Sequence, residues 1–294
     1  MGGIFGPFTT QKNQKMKKLQ LLFLTFFTSI SFAQIQTPDA SPYSKIEQKV
    51  GLTDFTISYS RPAKRSRIIM GDLVPYGAIW RAGANANTTV TFNDPIMIEG
   101  QALAAGKYAI FVKPQPNEWE VYFYTKTNNN GLPKKWDPES VALTVRAKVT
   151  SLQETIESFT IALEDLNAKG ATLNFKWENT KASLDVKVPT DEKAMESIVK
   201  TIKGSPSARD FYLAAIYFKD TGRDLKQAKK WIAKAISMDA DRYWMYRQQS
   251  LILKGLGETS KALEAAKISL ELAKKAGNQD YVRLNTKAIK EWSK

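Results

Sequence analysis

The sequence predicts a β + α two-domain protein, an antiparallel β-sandwich followed by a small α-helical domain. Two observations carry this. Between Lys45 and Val188 short runs rich in Val, Ile, Thr and aromatic residues recur without helices between them. After Pro189 the spacing of apolar residues changes from alternation to a helical period.

The strand-type runs come in order: "FTISYS", "TTVTFN", "IMIEG", "KYAIFVK", "EWEVYFY", "VALTVRAKV", "ESFTIALEDL", "ATLNFKWEN" and "ASLDVKV". Turn signals such as "NDP", "AAG", "PQPN", "NNNG" and "AKG" separate them. In "EWEVYFY", Trp119, Val121 and Phe123 fall on one face and Glu120, Tyr122 and Tyr124 on the other. Successive strands of this kind without crossover helices pair antiparallel and pack as a sandwich. One stretch breaks the rhythm: between Ser60 and Thr88 no regular strand or helix is predicted.

The domain boundary is placed at 189/190. Pro189 stops the last strand, and Thr190, Asp191 and Glu192 suit a helix start, so "DEKAMESIVKTIKG" reads as a helix ended by Gly204. Residues beyond it are helical and weakly repetitive. "LAAIYFKDTGRDLKQAKKWIAKAISMDA" sets Leu213, Ala214, Tyr217, Gly222, Ala228, Ile232 and Ala235 at spacings that "SLILKGLGETSKALEAAKISLELA" repeats with Ser250, Leu253, Gly257, Ala262, Ala266 and Ser269. Ala228 to Ala262 and Ala235 to Ser269 are both 34 apart. This resembles the tetratricopeptide pattern of helical hairpins, with Ala240 where the usual closing proline would stand. Two copies are too few for an independent solenoid. They are expected to pack on the flanking helix at 191–203, on a terminal helix near 279–293, and on the sandwich.

At the other end, "MKKLQLLFLTFFTSISFAQ" begins at Met16 with Lys17 and Lys18, runs apolar from Leu19 to Phe32, and places Ser31 and Ala33 before Gln34. That is the pattern of a secretory signal peptide, so residues 1–33 are assigned to it, with Met16 as an alternative start. The chain has no cysteine. A lipid anchor at the cleavage point and disulfides are therefore both excluded. The expectation is an exported protein, periplasmic or secreted, soluble after cleavage near Ala33–Gln34, with no stable membrane insertion.

Charge is uneven. Residues 34–190 hold 18 Lys and Arg against 16 Asp and Glu, whereas 191–294 hold 21 against 13. The basic excess of the helical half favours an acidic partner or an anionic surface. Nucleic acid is not expected as a partner of an exported chain. The lysine-rich "LKQAKKWIAKA" reads as a solvated helix face, and Trp231, Tyr243, Trp244 and Tyr246 as packing between helices.

"YSRPAKRSRIIMGDLVPYGAIWRAGANANTTVTF" carries a longer resemblance. Tyr59-Ser60-Arg61-Pro62, Arg67, Gly71, Leu73-Val74-Pro75-Tyr76-Gly77, Trp80-Arg81, Gly83-Ala84-Asn85 and Thr88-Thr89 are similar to the signature of domain-of-unknown-function family 2911, and "GQALAAGKYAIFVKPQPNEWEVYF" fits its following hairpin. The resemblance covers about residues 41–190. It implies an exported protein of the Bacteroidetes group and a fold, but no reaction.

Chemistry has to be read from the residues themselves. Without histidine or cysteine there is no Ser-His-Asp or Cys-His catalysis and no ordinary zinc site, so no cofactor is expected. Carboxylate-pair, Ser–Lys or Tyr-based chemistry and an all-oxygen calcium site survive this exclusion. Asp72, Asp94, Glu99, Glu118, Glu120, Asp137 and Glu139 are available, but no spacing singles out a pair, and "DPE" at 137–139 lacks the other ligands of a calcium loop. Asn87-Thr88-Thr89 matches a glycosylation triplet without further support.

In the irregular stretch a ligand site would use Arg61, Arg65, Arg67, Tyr76, Trp80, Arg81 and Asn85, the arginines gripping an acidic group and Trp80 stacking on a sugar ring. Alternatively "LVPYGAIW" plugs the open end of a sandwich. Three functional readings follow: a non-enzymatic envelope protein holding a protein partner on its helical repeats, a small-ligand or glycan binder at 60–89, and a carboxylate-based hydrolase.

Overall fold

The computed structural model describes residues 1–4, 6 and 37–294. The signal segment from Met16 to Ala33 and its cleavage point lie outside the described residues.

Nine strands form one antiparallel sheet: β1 (Tyr43–Val50), β2 (Thr53–Ser60), β3 (Ala84–Phe92), β4 (Ile96–Ile98), β5 (Gln101–Leu103), β6 (Gly106–Pro114), β7 (Glu118–Tyr124), β8 (Val141–Asn167) and β9 (Gly170–Lys187). Their order is β1-β2-β3-β6-β7-β8-β9-β4-β5. Two elements differ from the sequence reading. The four runs from "VALTVRAKV" to "ASLDVKV" are only two long strands, and β3 begins inside the stretch read as irregular. β1 was not among the runs singled out, because its alternation of Lys, Glu and Gln with single apolar residues is that of a strand exposed on one face.

Length is what folds the sheet over. β8 pairs with β7 through Val141–Lys148, then loses register between Ser151 and Ile156 and again before Thr160. Such irregularities bend a strand. The second half of β8 thereby returns to β2: the Ile161 N–H donates to the Tyr59 hydroxyl at 3.0 Å, and Phe159 N–H donates to the Pro62 carbonyl at 2.9 Å. One apolar core lies inside, with Trp119, Val121 and Phe123 of β7 at its centre as alternation predicts. The opposite face of β7 is covered too. Trp136, from the 125–140 connection, packs 4.9 Å from Tyr124 and 5.4 Å from Phe111.

Six helices follow: α1 (Thr190–Lys203), α2 (Ala208–Asp220), α3 (Leu225–Met238), α4 (Tyr243–Gly255), α5 (Thr259–Lys275) and α6 (Gln279–Trp292). Starts are set by side chains: a Ser207–Asp210 capping box for α2, Asp224 accepting from Lys226 and Gln227 for α3, and Asn278 accepting from Tyr281 for α6. α2 packs on α3, α4 on α5 and α5 on α6 as antiparallel neighbours. Ala228, Ala235, Ala262, Ala266, Ser250 and Ser269 are buried where these helices approach. On α2 it is Ala214 and Ala215 that fill this role, and Leu213 points outward.

α1 is fastened to the sheet. Leu52 N–H donates to the Thr190 hydroxyl at 3.2 Å, and the Lys193 ammonium binds the Leu52 carbonyl at 3.1 Å and Asp94 at 2.5 Å. Asp94 also accepts from the buried Thr53 hydroxyl at 2.7 Å. Burial alone would raise the Asp94 pKa, but the bonds from Lys193 and Thr53 outweigh it and hold the carboxyl below its ordinary value of 3.8. A depressed carboxyl stabilises the fold above its unfolded pKa and ceases to do so as pH falls through its folded pKa. Asp94→Asn is therefore expected to cost about 1 kcal/mol near neutral pH. Thermal melts across pH should show the gap between the two proteins closing below pH 3.8; a gap that stays constant in acid refutes the pairing.

Candidate functional site

The 60–89 stretch is tied to the sheet at several points, with Leu73 and Tyr76 exposed between them. Ile69, Val74 and Ala82 are buried in the main core. Ile69 N–H is bonded to the Glu178 carboxylate at 3.2 Å, and Gly71 and Val74 bond across a tight turn. At its far end Trp80 pairs with Val112 through both backbone groups, at 2.7 and 2.8 Å.

The candidate residues land as follows. Trp80 lies 19° from parallel over Trp177 at 5.6 Å, with Phe159 edge-on at 4.9 Å. Arg61 donates to the Phe159 carbonyl at 3.1 Å and the Thr160 hydroxyl at 2.7 Å. Arg67 donates to the carbonyls of Ala63 and Lys64, closing its own turn. Arg65 adopts a left-handed backbone (φ 54) and is held through its N–H by Glu157 at 2.7 Å. The Tyr76 ring covers Gly71, where an added Cβ would stand 2.8 Å from it.

Arg81 donates to the Asn85 carbonyl at 2.9 Å and lies against Gly131. Asn85, also left-handed (φ 57), reaches Ser60 and Ser41 with its amide. The seven residues do not share one set of partners: Trp80 and Arg61 serve the contact with β8 and β9, whereas Arg81 and Asn85 serve the start of β3.

Asn87 was missed. Read as part of a glycosylation triplet, it is buried, donates to the Gly131 carbonyl at 2.9 Å and accepts from Asn129 N–H at 3.0 Å. It anchors the connection that carries Trp136. An asparagine two residues before a buried strand threonine was the available signal. Asn87→Ala should leave the Gly131 carbonyl and Asn129 N–H without partners and cost about 2 kcal/mol. Urea titration checks this, together with faster proteolysis within 126–135.

A second concentration of aromatic and basic groups lies on the helices. Trp231 packs on Phe218 at 4.7 Å, and Tyr243 on Tyr281 at 4.7 Å, so both serve packing. Between α2 and α4, however, Ala208, Arg209, Tyr212, Asp239, Arg242, Trp244 and Met245 line a cleft of about 260 Å³. Farther along α4, Arg247 and Lys254 each stand 5.9 Å from the centre of the Trp292 ring of α6.

A folded-over antiparallel sheet crossed by the 60–89 stretch and continued by six helices defines a two-part chain. Residues 41–186 match the family described as Protein of unknown function (DUF2911), so the sheet is a domain of that family. No curated protein and no solved structure matches the chain.

Proposed function

We propose that this is an exported, non-enzymatic protein that holds a protein partner on tetratricopeptide-like hairpins, with the DUF2911 domain as the rigid body to which they are fixed. The observation that carries this is the cleft between α2 and α4. It sets the half-buried Tyr212 and Trp244 beside the exposed Arg209, and aromatic residues with arginine are the side chains that contribute most at protein interfaces.

The burial of Ala228 and Ala262, and of Ala235 and Ser269, at the repeated 34-residue spacing supports the hairpin reading. Export is supported by the signal pattern from Met16 to Ala33, and among the described residues no helix is long and apolar enough to cross a membrane. The ligand-site reading at 60–89 is less favoured, because Trp80 and Arg61 are already engaged within the fold.

Crosslinked capture from envelope extract tests the proposal, with residues 34–294 beside 34–190 as baits. A protein held by the longer bait and lost with the shorter is the expected result. Equal capture by both would move the partner to the sheet, and capture by neither would refute the proposal.

A further inference from the structure

We propose that the partner contributes an acidic segment, whose carboxylates are taken by Arg247 and Lys254 of α4 beside the Trp292 indole. This rests on the partner-binding reading above and names its chemistry.

α4 contains Arg247 and Lys254 but no Asp or Glu. Seven residues apart, the two cations share one face, and both stand over the same ring. Two like charges at one indole repel each other unless an anion sits with them. Neither forms an ion pair among the described residues. The Arg247 Nη1 is out of solvent with no acceptor, and burial pulls the guanidinium below its usual pKa.

No carboxylate of the neighbouring helices is bonded to either cation: on α5, Glu271 pairs with Lys274 at 2.8 Å, and Glu264 is exposed and forms no bond to Arg247 or Lys254. On α2, Asp210 is bonded to Ser207 and Asp220 to Lys219. On α6, Asp280 pairs with Arg283 at 2.9 Å and Glu291 with Lys287 at 3.9 Å. The charge that completes this face therefore comes from another molecule.

The same face extends toward the cleft. Trp244 stands one turn before Arg247, and Arg209 of α2 lies across the cleft with no ion pair among the described residues. From Trp244 to Lys254 the helix rises about 15 Å. That matches roughly four or five residues of an extended chain. An extended acidic peptide thus meets an aromatic contact at one end and two cations beyond it. A single small anion would use only the guanidinium.

Fluorescence anisotropy of labelled hexaglutamate with residues 34–294, which hold all nine strands and six helices, tests this. Expected are binding that weakens steeply with salt and a loss of tenfold or more in Arg247→Gln/Lys254→Gln. Lys226→Gln/Lys230→Gln on α3, with the same change in charge, should bind as the parent does.

Arg247→Met is expected to lose the peptide while melting no lower than the parent, since it removes a buried charge without a partner. A lower melting temperature there would mark the arginine as structural and overturn the assignment. So would equal loss in both double variants, or displacement by inorganic phosphate as effective as by peptide. Failure of hexaglutamate to bind, with a partner still captured by 34–294 in the envelope experiment, would overturn the acidic chemistry and leave the partner reading standing.

Discussion

Trp80→Ala is expected to cost the β domain about 3 kcal/mol, the lower end of the range for truncating a large aromatic because the ring is only partly buried. The residue's backbone bonds to Val112 survive the substitution, so the loss comes from the ring. That ring covers Trp177, which is 1% exposed, and meets the edge of Phe159, which is fully buried. Removing it opens the contact between the 60–89 stretch and strands β8 and β9. A loss of this size should lower the melting temperature by about 6–12 °C in a unit of 150–250 residues, read by scanning calorimetry. Arg81→Ala, which gives up one bond to a backbone carbonyl, should move it far less. A Trp80→Ala protein that melts with the parent yet loses affinity for a glycan would reverse the assignment and return this stretch to ligand binding.

What the sequence made legible follows from the range of the forces involved. Local patterns declared themselves: the alternation of β7, the start of α1 after Pro189 and its stop at Gly204 all act within a few residues of where they are read. The continuity of β8 was not legible. Its middle, "TSLQETIE", is polar enough to read as a turn, yet it remains extended because Lys64 bonds to the Glu157 carbonyl at 2.6 Å. The same long-range pairing sets the contacts of the 60–89 stretch. Arg61, Trp80 and Arg81 have the composition of a binding site, and their partners, Phe159, Trp177 and Gly131, lie far along the chain.

The helical groove was hidden for a related reason. Tyr243 and Trp244 were both read as packing and both do pack, but Trp244 also lines the cleft, and helical period alone does not show that second role. The absence of any carboxylate in α4 could have drawn attention to Arg247, but only the structure shows that the carboxylates of α2 and α6 are already bound.

Gly51→Ala is expected to have the second large effect, because it strikes where the sheet holds the helices. Gly51, in the β1–β2 turn, has a φ of 55°, and a Cβ there would stand 1.9 Å from the Thr190 hydroxyl and 2.5 Å from the Ala168 carbonyl. The backbone conformation alone costs a side chain about 1–2 kcal/mol. The overlap adds about 1–3 kcal/mol, since a backbone carbonyl on one side and the first residue of α1 on the other leave little room to yield. Relief requires Thr190 to move, which breaks its bond from Leu52 and draws Lys193 away from Asp94. Gly222→Ala provides the comparison: its φ is 68°, but no atom lies within 4 Å of the added carbon. Backbone strain is common to both substitutions, so the excess in Gly51→Ala measures the close approach at the junction. That excess should appear as a lower melting temperature together with faster tryptic cleavage at Lys187 and Lys193. Equal behaviour of the two variants would mean that α1 is not held by this contact, and that the helical hairpins are positioned on the sheet by the Asp94–Lys193 pair alone.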